Sequence, residues 1–304
     1  MKDFNNPIEK LVHSTVRIVC LKEDGRASSG TGYIFSPLVE GNAAYPCIVT
    51  NKHVLSGGIE VHFNLTLMHE NGGPDIGNHE VIVLQDLKNH WFLHPNNDVD
   101  LAIIPISTAL NEHRKNGKEY FFSILGKEFL ASESLLDELS SMEEIMMIGY
   151  PNGLWDSVHN LPIIRRGITA TSPKIKYNGK PEFLIDAACF PGSSGSPVFL
   201  SNVGGYLDKN GKTQFGTRIA LLGTLYAGPQ SVIQGEIESS DLLTDVKTKI
   251  TSLIPNNLGR VIHASEILEF ERIIKGLSVS TPKRNDSCLC GSGEKYKKCC
   301  GKLS

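Results

Sequence analysis

The feature that most constrains this chain is a train of short β-branched segments with turn residues between them. From residue 11 to about 105 the runs are STVRIVCLK, TGYIFS, PCIVTNKHVL, IEVHFNL, HEVIVL and VDLAIIPI. Glu23-Asp24-Gly25, Gly57-Gly58 and Asn71-Gly72-Gly73-Pro74 punctuate them. Val, Ile, Thr and aromatic side chains fit a pleated, half-buried surface, and Gly, Asn, Asp and Pro supply the backbone angles of turns. Such regular short strands predict a barrel or a sandwich. A second strand-rich stretch follows: EIMMIGYP, LPIIRRGITATS, FLIDAACF, SPVFL and RIALLGTLYAG. Residues 108–142, between the two, are polar and predict a long, partly helical connection. Residues 229–258 read as loop-rich, with a short helix near LLTDVKTKI. ASEILEFERIIKGL predicts a helix, with Ser265 as N-cap and Ile267, Phe270, Ile274 and Leu277 on one face toward the second half.

Composition narrows the function classes. The 304 residues carry a formal net charge of −3, which excludes a globally basic nucleic-acid coat and a highly charged disordered chain. No run of roughly 18 apolar residues exists, so no transmembrane helix and no membrane partner are expected. MKDFNNPIEK lacks the apolar core of a secretory signal, and the expected compartment is the cytoplasm. The seven cysteines are an odd number, which argues against a disulfide framework. Cys20, Cys47 and Cys189 lie scattered in apolar stretches and read as small buried hydrophobes.

Three separated segments carry groups suited to acyl transfer. Ser194 is the middle serine of Gly192-Ser193-Ser194-Gly195-Ser196-Pro197. A nucleophilic serine needs backbone N–H groups aimed at the developing oxyanion, and flanking glycines permit that backbone. The Gly192 and Ser194 N–H groups are the candidate oxyanion donors. A serine also needs a base, and His53 follows the apolar run Ile48-Val49-Thr50. The base needs a buried carboxylate to hold its tautomer. Asp100, at the mouth of Leu101-Ala102-Ile103-Ile104, is the first choice and Asp98 the second.

T-N-K-H-V, D-V-D-L-A-I-I and D-A-A-C-F-P-G-S-S-G-S-P, in the order His, Asp, Ser, resemble the trypsin-like serine peptidases, above all their bacterial HtrA-type branch. Gly30-Thr31-Gly32-Tyr33-Ile34, Ile148-Gly149-Tyr150-Pro151-Asn152-Gly153 and Gly167-Ile168-Thr169-Ala170 are similar to three further stretches of that branch. The resemblance implies an all-β, chymotrypsin-like fold of two six-stranded antiparallel barrels with a C-terminal helix, the halves spanning about 11–107 and 143–275. It implies catalytic His53, Asp100 and Ser194, an oxyanion hole at Gly192 and Ser194, and no cofactor for the chemistry. Secreted zymogens of the family carry an Asp before the nucleophile. Ser193 stands there in this chain, which implies no activation by a new N-terminus. By the same resemblance Ala188 falls near the base of the primary specificity pocket, and Tyr226, Ala227 and Gly228 would bind the substrate backbone. An uncharged pocket base implies a small or medium apolar side chain at the cut.

The last residues have separate chemistry. Cys288, Cys290, Cys299 and Cys300 are spaced C-x-C-x8-C-C, a spacing suited to a closed tetrahedral zinc site. Residues 282–304 hold six basic and two acidic side chains, which offset the negative charge of four thiolates on Zn²⁺. This tail resembles the SEC-C motif, a zinc knuckle that in its family recruits a chaperone or the ribosome. The expected domains are a peptidase unit at 1–277, a linker at 278–287 and the knuckle at 288–304. The resulting reading is a serine endopeptidase acting on protein or peptide substrates, with a structural zinc tail that docks a protein or the ribosome and does not read nucleic acid directly. Its rival is a latent or inactive peptidase fold serving as a binding module or as a partner-triggered stress or anti-phage effector.

Overall fold

The computed structural model describes residues 6–40, 43–86, 90–228, 230–237 and 248–279. The N-terminal half contains β1 (Thr15–Lys22), β2 (Ala27–Phe35), β3 (Cys47–Thr50), β4 (Gly58–Met68), β5 (Pro74–Gln85), β6 (Phe92–Leu93), β7 (Ala102–Pro105) and β8 (Tyr120–Phe121). They form one eight-stranded sheet in the order β8-β4-β1-β2-β3-β7-β6, with β5 also paired to β4. Each apolar run of the sequence thus became a strand, but the half is larger than the expected six-stranded barrel. Its ladder is open between β5 and β6 among the described residues. The physical reason is length: β6 has two residues, paired with Ile103 and Ala102 of β7, and offers little edge for the twelve-residue β5.

The C-terminal half closes as expected. Strands β9 (Glu144–Gly149), β10 (Ile163–Thr169), β11 (Glu182–Asp186), β12 (Pro197–Asn202), β13 (Arg218–Ala227) and β14 (Leu258–His263) make a closed barrel in the order β9-β10-β11-β14-β13-β12. Closure removes the free sheet edges that an open sheet leaves. Its interior holds Ile145, Met147, Phe183, Ile185, Val198, Leu222 and Val261. Together the two halves make a mostly β, chymotrypsin-like fold.

The connection at 108–142 is partly helical, as its polar pattern implied. Helix α3 (Ser107–Lys115) follows α1 (Pro7–Val12) and the one-turn α2 (Lys52–Leu55), and α4 (Glu133–Glu138) starts where Ser132 accepts a hydrogen bond from the Leu135 N–H. Residues 229–258 differ from expectation. Residues 230–237 and 248–255 pair as an antiparallel hairpin, and 248–250 of LLTDVKTKI is strand, not helix. The segments 230–237 and 248–255 carry Val232, Ile233, Ile250 and Ile254, and β-branched residues favour strand over helix.

The C-terminal helix is present as α5 (Glu269–Val279), two residues past the expected domain limit. Ser265 does not cap it. A 3₁₀ turn at Ala264–Leu268 leads directly out of β14, and His263 is the entering residue without a side-chain cap bond. Ile267, Phe270 and Ile274 are buried, while the side chain of Leu277 lies outside the described residues. Their cluster includes Leu11, Tyr33, Val99 and Leu101 as well as Met146, Phe199 and Ile262. The helix therefore seals the seam between both halves, not the second half alone. Among the described residues no helix is long and apolar enough to cross a membrane.

Burial holds the His13 and His263 imidazoles below their ordinary 6.5. Their neutral forms are favoured in the fold, so below about pH 6.5 the unfolded chain binds more protons and stability falls as pH drops. Thermal unfolding from pH 7.5 to 5.5 is expected to show a falling Tm, with a smaller slope in the H13Q/H263Q double variant.

Candidate active site

His53, Asp100 and Ser194 come from three different elements, and the fold brings their backbones to one seam. Strand β3 ends at Thr50, Asn51 enters the short helix α2, and that helix turns His53 outward while Val54 and Leu55 anchor it in the core. The His53 Nδ1 lies 2.5 Å from Asp100 Oδ2, and the His53 N–H donates to Asp100 Oδ1 at 3.1 Å. Asn51 Nδ2 donates to the Asp100 carbonyl at 2.7 Å, so both ends of the aspartate are fixed by the same turn. Carboxylate contact at Nδ1 leaves Nε2 as the ring nitrogen available to exchange a proton. Asp98 does not share this geometry; it is exposed, and its N–H donates to Asn96 Oδ1 at 2.9 Å.

The serine sits in two consecutive β-turns. Ser193 N–H donates to the Phe190 carbonyl at 3.0 Å, and Ser196 N–H to the Ser193 carbonyl at 3.0 Å. Pro191 and Gly192 occupy the centre of the first turn, Ser194 and Gly195 that of the second. Gly192 has φ +85° and Gly195 φ +88°, the left-handed angle that the third position of a type II turn requires. Space excludes a side chain at Gly195 independently: a Cβ there would lie 1.8 Å from the Thr31 carbonyl oxygen. Among the described residues neither the Gly192 nor the Ser194 N–H donates to a protein acceptor. Both remain free beside the serine, as an oxyanion hole needs.

The Ser194 hydroxyl is not bonded to His53. It donates to the Tyr226 carbonyl at 3.4 Å, a long and weak contact. Ser193 is buried, and its hydroxyl is without a partner among the described residues. No ion pair holds this turn from that position.

A cavity of about 230 Å³ opens beside Ser194, lined by Cys189, Phe190, Pro191, Leu225, Ala227 and Gly228. Ala227 and Gly228 stand on its wall. Ala188 and Tyr226 do not line it. Ala188 is exposed and its carbonyl accepts from Arg165, because side chains alternate along 187–189 and Cys189 takes the inward position. Burial pushes the Cys189 thiol up to about 11, so it is a neutral wall. The Tyr226 hydroxyl donates instead to Glu182. Thr31, Cys189, Phe190 and Leu225 are site residues that the motif reading did not single out. The alternation in Ala187-Ala188-Cys189 was the available signal for Cys189.

Residues 30–205 match the family model described as trypsin-like peptidase domain. The chain belongs to the trypsin-like peptidase family. Its tail matches a second model, the SEC-C motif, over residues 284–302, which lie outside the described residues. No curated protein matches the chain. Among solved structures, this trypsin-like peptidase is similar to the Rv3671c protease of M. tuberculosis in its active form, at 16% identity and TM-score 0.42 over 86% of this chain and 82% of that one. It is also similar to the HtrA-type protease AlgW with tripeptide (16%, TM-score 0.47), spanning 89% of this chain but only 63% of the AlgW chain. A serine endoprotease from Yersinia pestis gives 15% identity and TM-score 0.46, over 92% and 68% of the two chains.

The Asp100 contact predicts a specific loss. D100N keeps the shape but not the charge that holds the His53 tautomer, and its labelling by a fluorophosphonate is expected to slow by about 10³- to 10⁴-fold, read by time-resolved intact mass.

Proposed function

We propose that this protein is a serine endopeptidase acting by a Ser194–His53–Asp100 acyl-enzyme mechanism. The observation that carries the reading is the His53–Asp100 pair together with two N–H groups at the serine turn that have no acceptor among the described residues. Rotation about χ1 takes the Ser194 hydroxyl from the Tyr226 carbonyl toward His53. His53 Nε2 accepts the hydroxyl proton as Oγ attacks the substrate carbonyl. The Gly192 and Ser194 N–H groups hold the oxyanion, and Asp100 stabilises the imidazolium. Collapse breaks the C–N bond, and His53 returns its proton to the leaving amine. Water repeats the sequence on the acyl-enzyme, restoring Ser194 and releasing the acid.

The cavity supports a preference for a small or medium apolar side chain at the cut, since none of its lining residues is ionised. A peptide library is expected to show cleavage after such residues by wild type and none by S194A. Cuts mainly after Lys or Arg would contradict the specificity, and equal cleavage by S194A would contradict the mechanism.

The long Ser194–Tyr226 contact favours a second reading, a latent peptidase whose serine swings toward His53 only when a partner or substrate arrives. In either case we take 1–277 as the peptidase unit, 278–287 as linker and 288–304 as docking module for a protein or ribosomal partner. The cytoplasm suits the free thiols of Cys20, Cys47 and Cys189. The donor set Cys288, Cys290, Cys299 and Cys300 suits Zn²⁺, which would order the tail and leave no open position for chemistry. Metal analysis is expected to give one zinc per chain and none in the C299S/C300S variant, with peptide cleavage unchanged.

A further inference from the structure

Among the described residues, one residue of the other half hydrogen-bonds the serine turn. Thr31, on β2, is fully buried. Its N–H donates to the Ser194 carbonyl at 2.8 Å, and its hydroxyl donates to the Gly192 carbonyl at 2.9 Å. The same hydroxyl oxygen accepts from the Tyr150 N–H at 3.0 Å. The Thr31 carbonyl in turn accepts from the Thr50 hydroxyl at 2.7 Å, on the strand that leads to His53.

The placement has a consequence for peptide orientation. A planar trans peptide points its C=O and N–H in opposite directions. The Pro191 carbonyl accepts from the Asn152 N–H at 2.6 Å, which turns the Gly192 N–H the other way. Anchoring the Gly192 carbonyl on Thr31 fixes the next peptide, whose Ser193 N–H closes on the Phe190 carbonyl. Flipping the Gly192 N–H inward would break the Pro191–Asn152 bond, and the Thr31 anchors on the Gly192 and Ser194 carbonyls restrain the peptide that follows each donor. By the family resemblance, activation of secreted members pairs a new N-terminus with an Asp at the residue before the nucleophile. Here that residue is Ser193, whose buried hydroxyl makes no bond among the described residues.

We infer that Thr31 is the positioning residue of the oxyanion hole, a hydroxyl clamp across the seam that does the ordering which an ion pair at position 193 cannot do here. The inference rests on the peptidase reading above. It makes the competence of the turn depend on docking of the two halves, because the clamp and its targets lie on opposite sides.

The test compares T31V, which keeps the volume but removes the donor and acceptor, with T31S, which restores both. The readout is the second-order rate of fluorophosphonate labelling of the full chain across pH 5.5–8.5, with Tm measured alongside. Loss of one oxyanion donor costs roughly 10²- to 10³-fold in related chemistry, and mispositioning is expected to cost about 10- to 100-fold. T31V should therefore slow by that factor with the shape of the pH–rate profile unchanged, and T31S should label within about threefold of wild type. If T31V does not fold, T31A, which removes the same hydroxyl without placing a second methyl against the turn, is expected to slow at least tenfold. Folded T31V (or T31A) labelling at the wild-type rate would overturn the clamp alone, as would T31S slowing as much as T31V. A wild type that fails to label would overturn the clamp together with the peptidase reading.

Discussion

The site depends on β2 being held against the C-terminal barrel. That strand belongs to the N-terminal sheet by its ladders to β1 and β3, yet its side chains reach across the seam. Tyr33 is fully buried, with its hydroxyl 2.7 Å from that of Thr224 on β13. Thr31, two residues earlier on the same face, binds the serine turn. The buried Tyr150 answers from the barrel, its hydroxyl donating to the Thr15 carbonyl at 3.2 Å. Each of these groups is removed from water, so a lost partner would leave a buried polar atom unpaired, at a cost of about 1–3 kcal/mol. The seam is therefore specified more sharply than apolar packing alone would specify it.

Around these polar contacts, helix α5 closes the packing. Phe270 is fully buried, and His94 meets its ring edge-on at 5.6 Å. The His94 Nε2 lies 3.5 Å from Glu266 in the turn that leads into the helix. The loop from His94 to Asp100 is thus braced by the C-terminal part of the chain. Val99 and Leu101, on either side of Asp100, are buried in the same cluster as Ile267 and Ile274. The aspartate is presented by two apolar anchors and reaches His53 without adjustment of the strand.

Much of this was legible in the sequence. The strands were, because a period of two in β-branched residues has few other outcomes. The contact of His53 with Asp100 was, because a histidine and an acid at strand mouths stand out, and so was the serine turn, because serines between glycines do. Parity does not separate Asp100 from Asp98, which share it; Asp100 stands between the buried Val99 and Leu101 and meets His53, while Asp98 is exposed. What stayed hidden depends on contacts distant in sequence. Thr31 looks like any strand threonine until the turn at 192–195 is laid beside it, 161 positions away from Gly192. Ser265 looked like a cap, but β14 runs straight into a 3₁₀ turn, whose own bonds serve the helix start. The pairing of residues 230–237 with 248–255 was hidden by their polar and glycine content, and the open N-terminal sheet by the shortness of β6.

The central claim is that the isolated chain presents a competent nucleophile beside preorganised oxyanion donors. The most direct measurement is intact mass after incubation with a fluorophosphonate, on wild type and on S194A. The account predicts a single adduct on wild type and none on S194A. An unmodified wild type, or an adduct that persists on S194A, would contradict it.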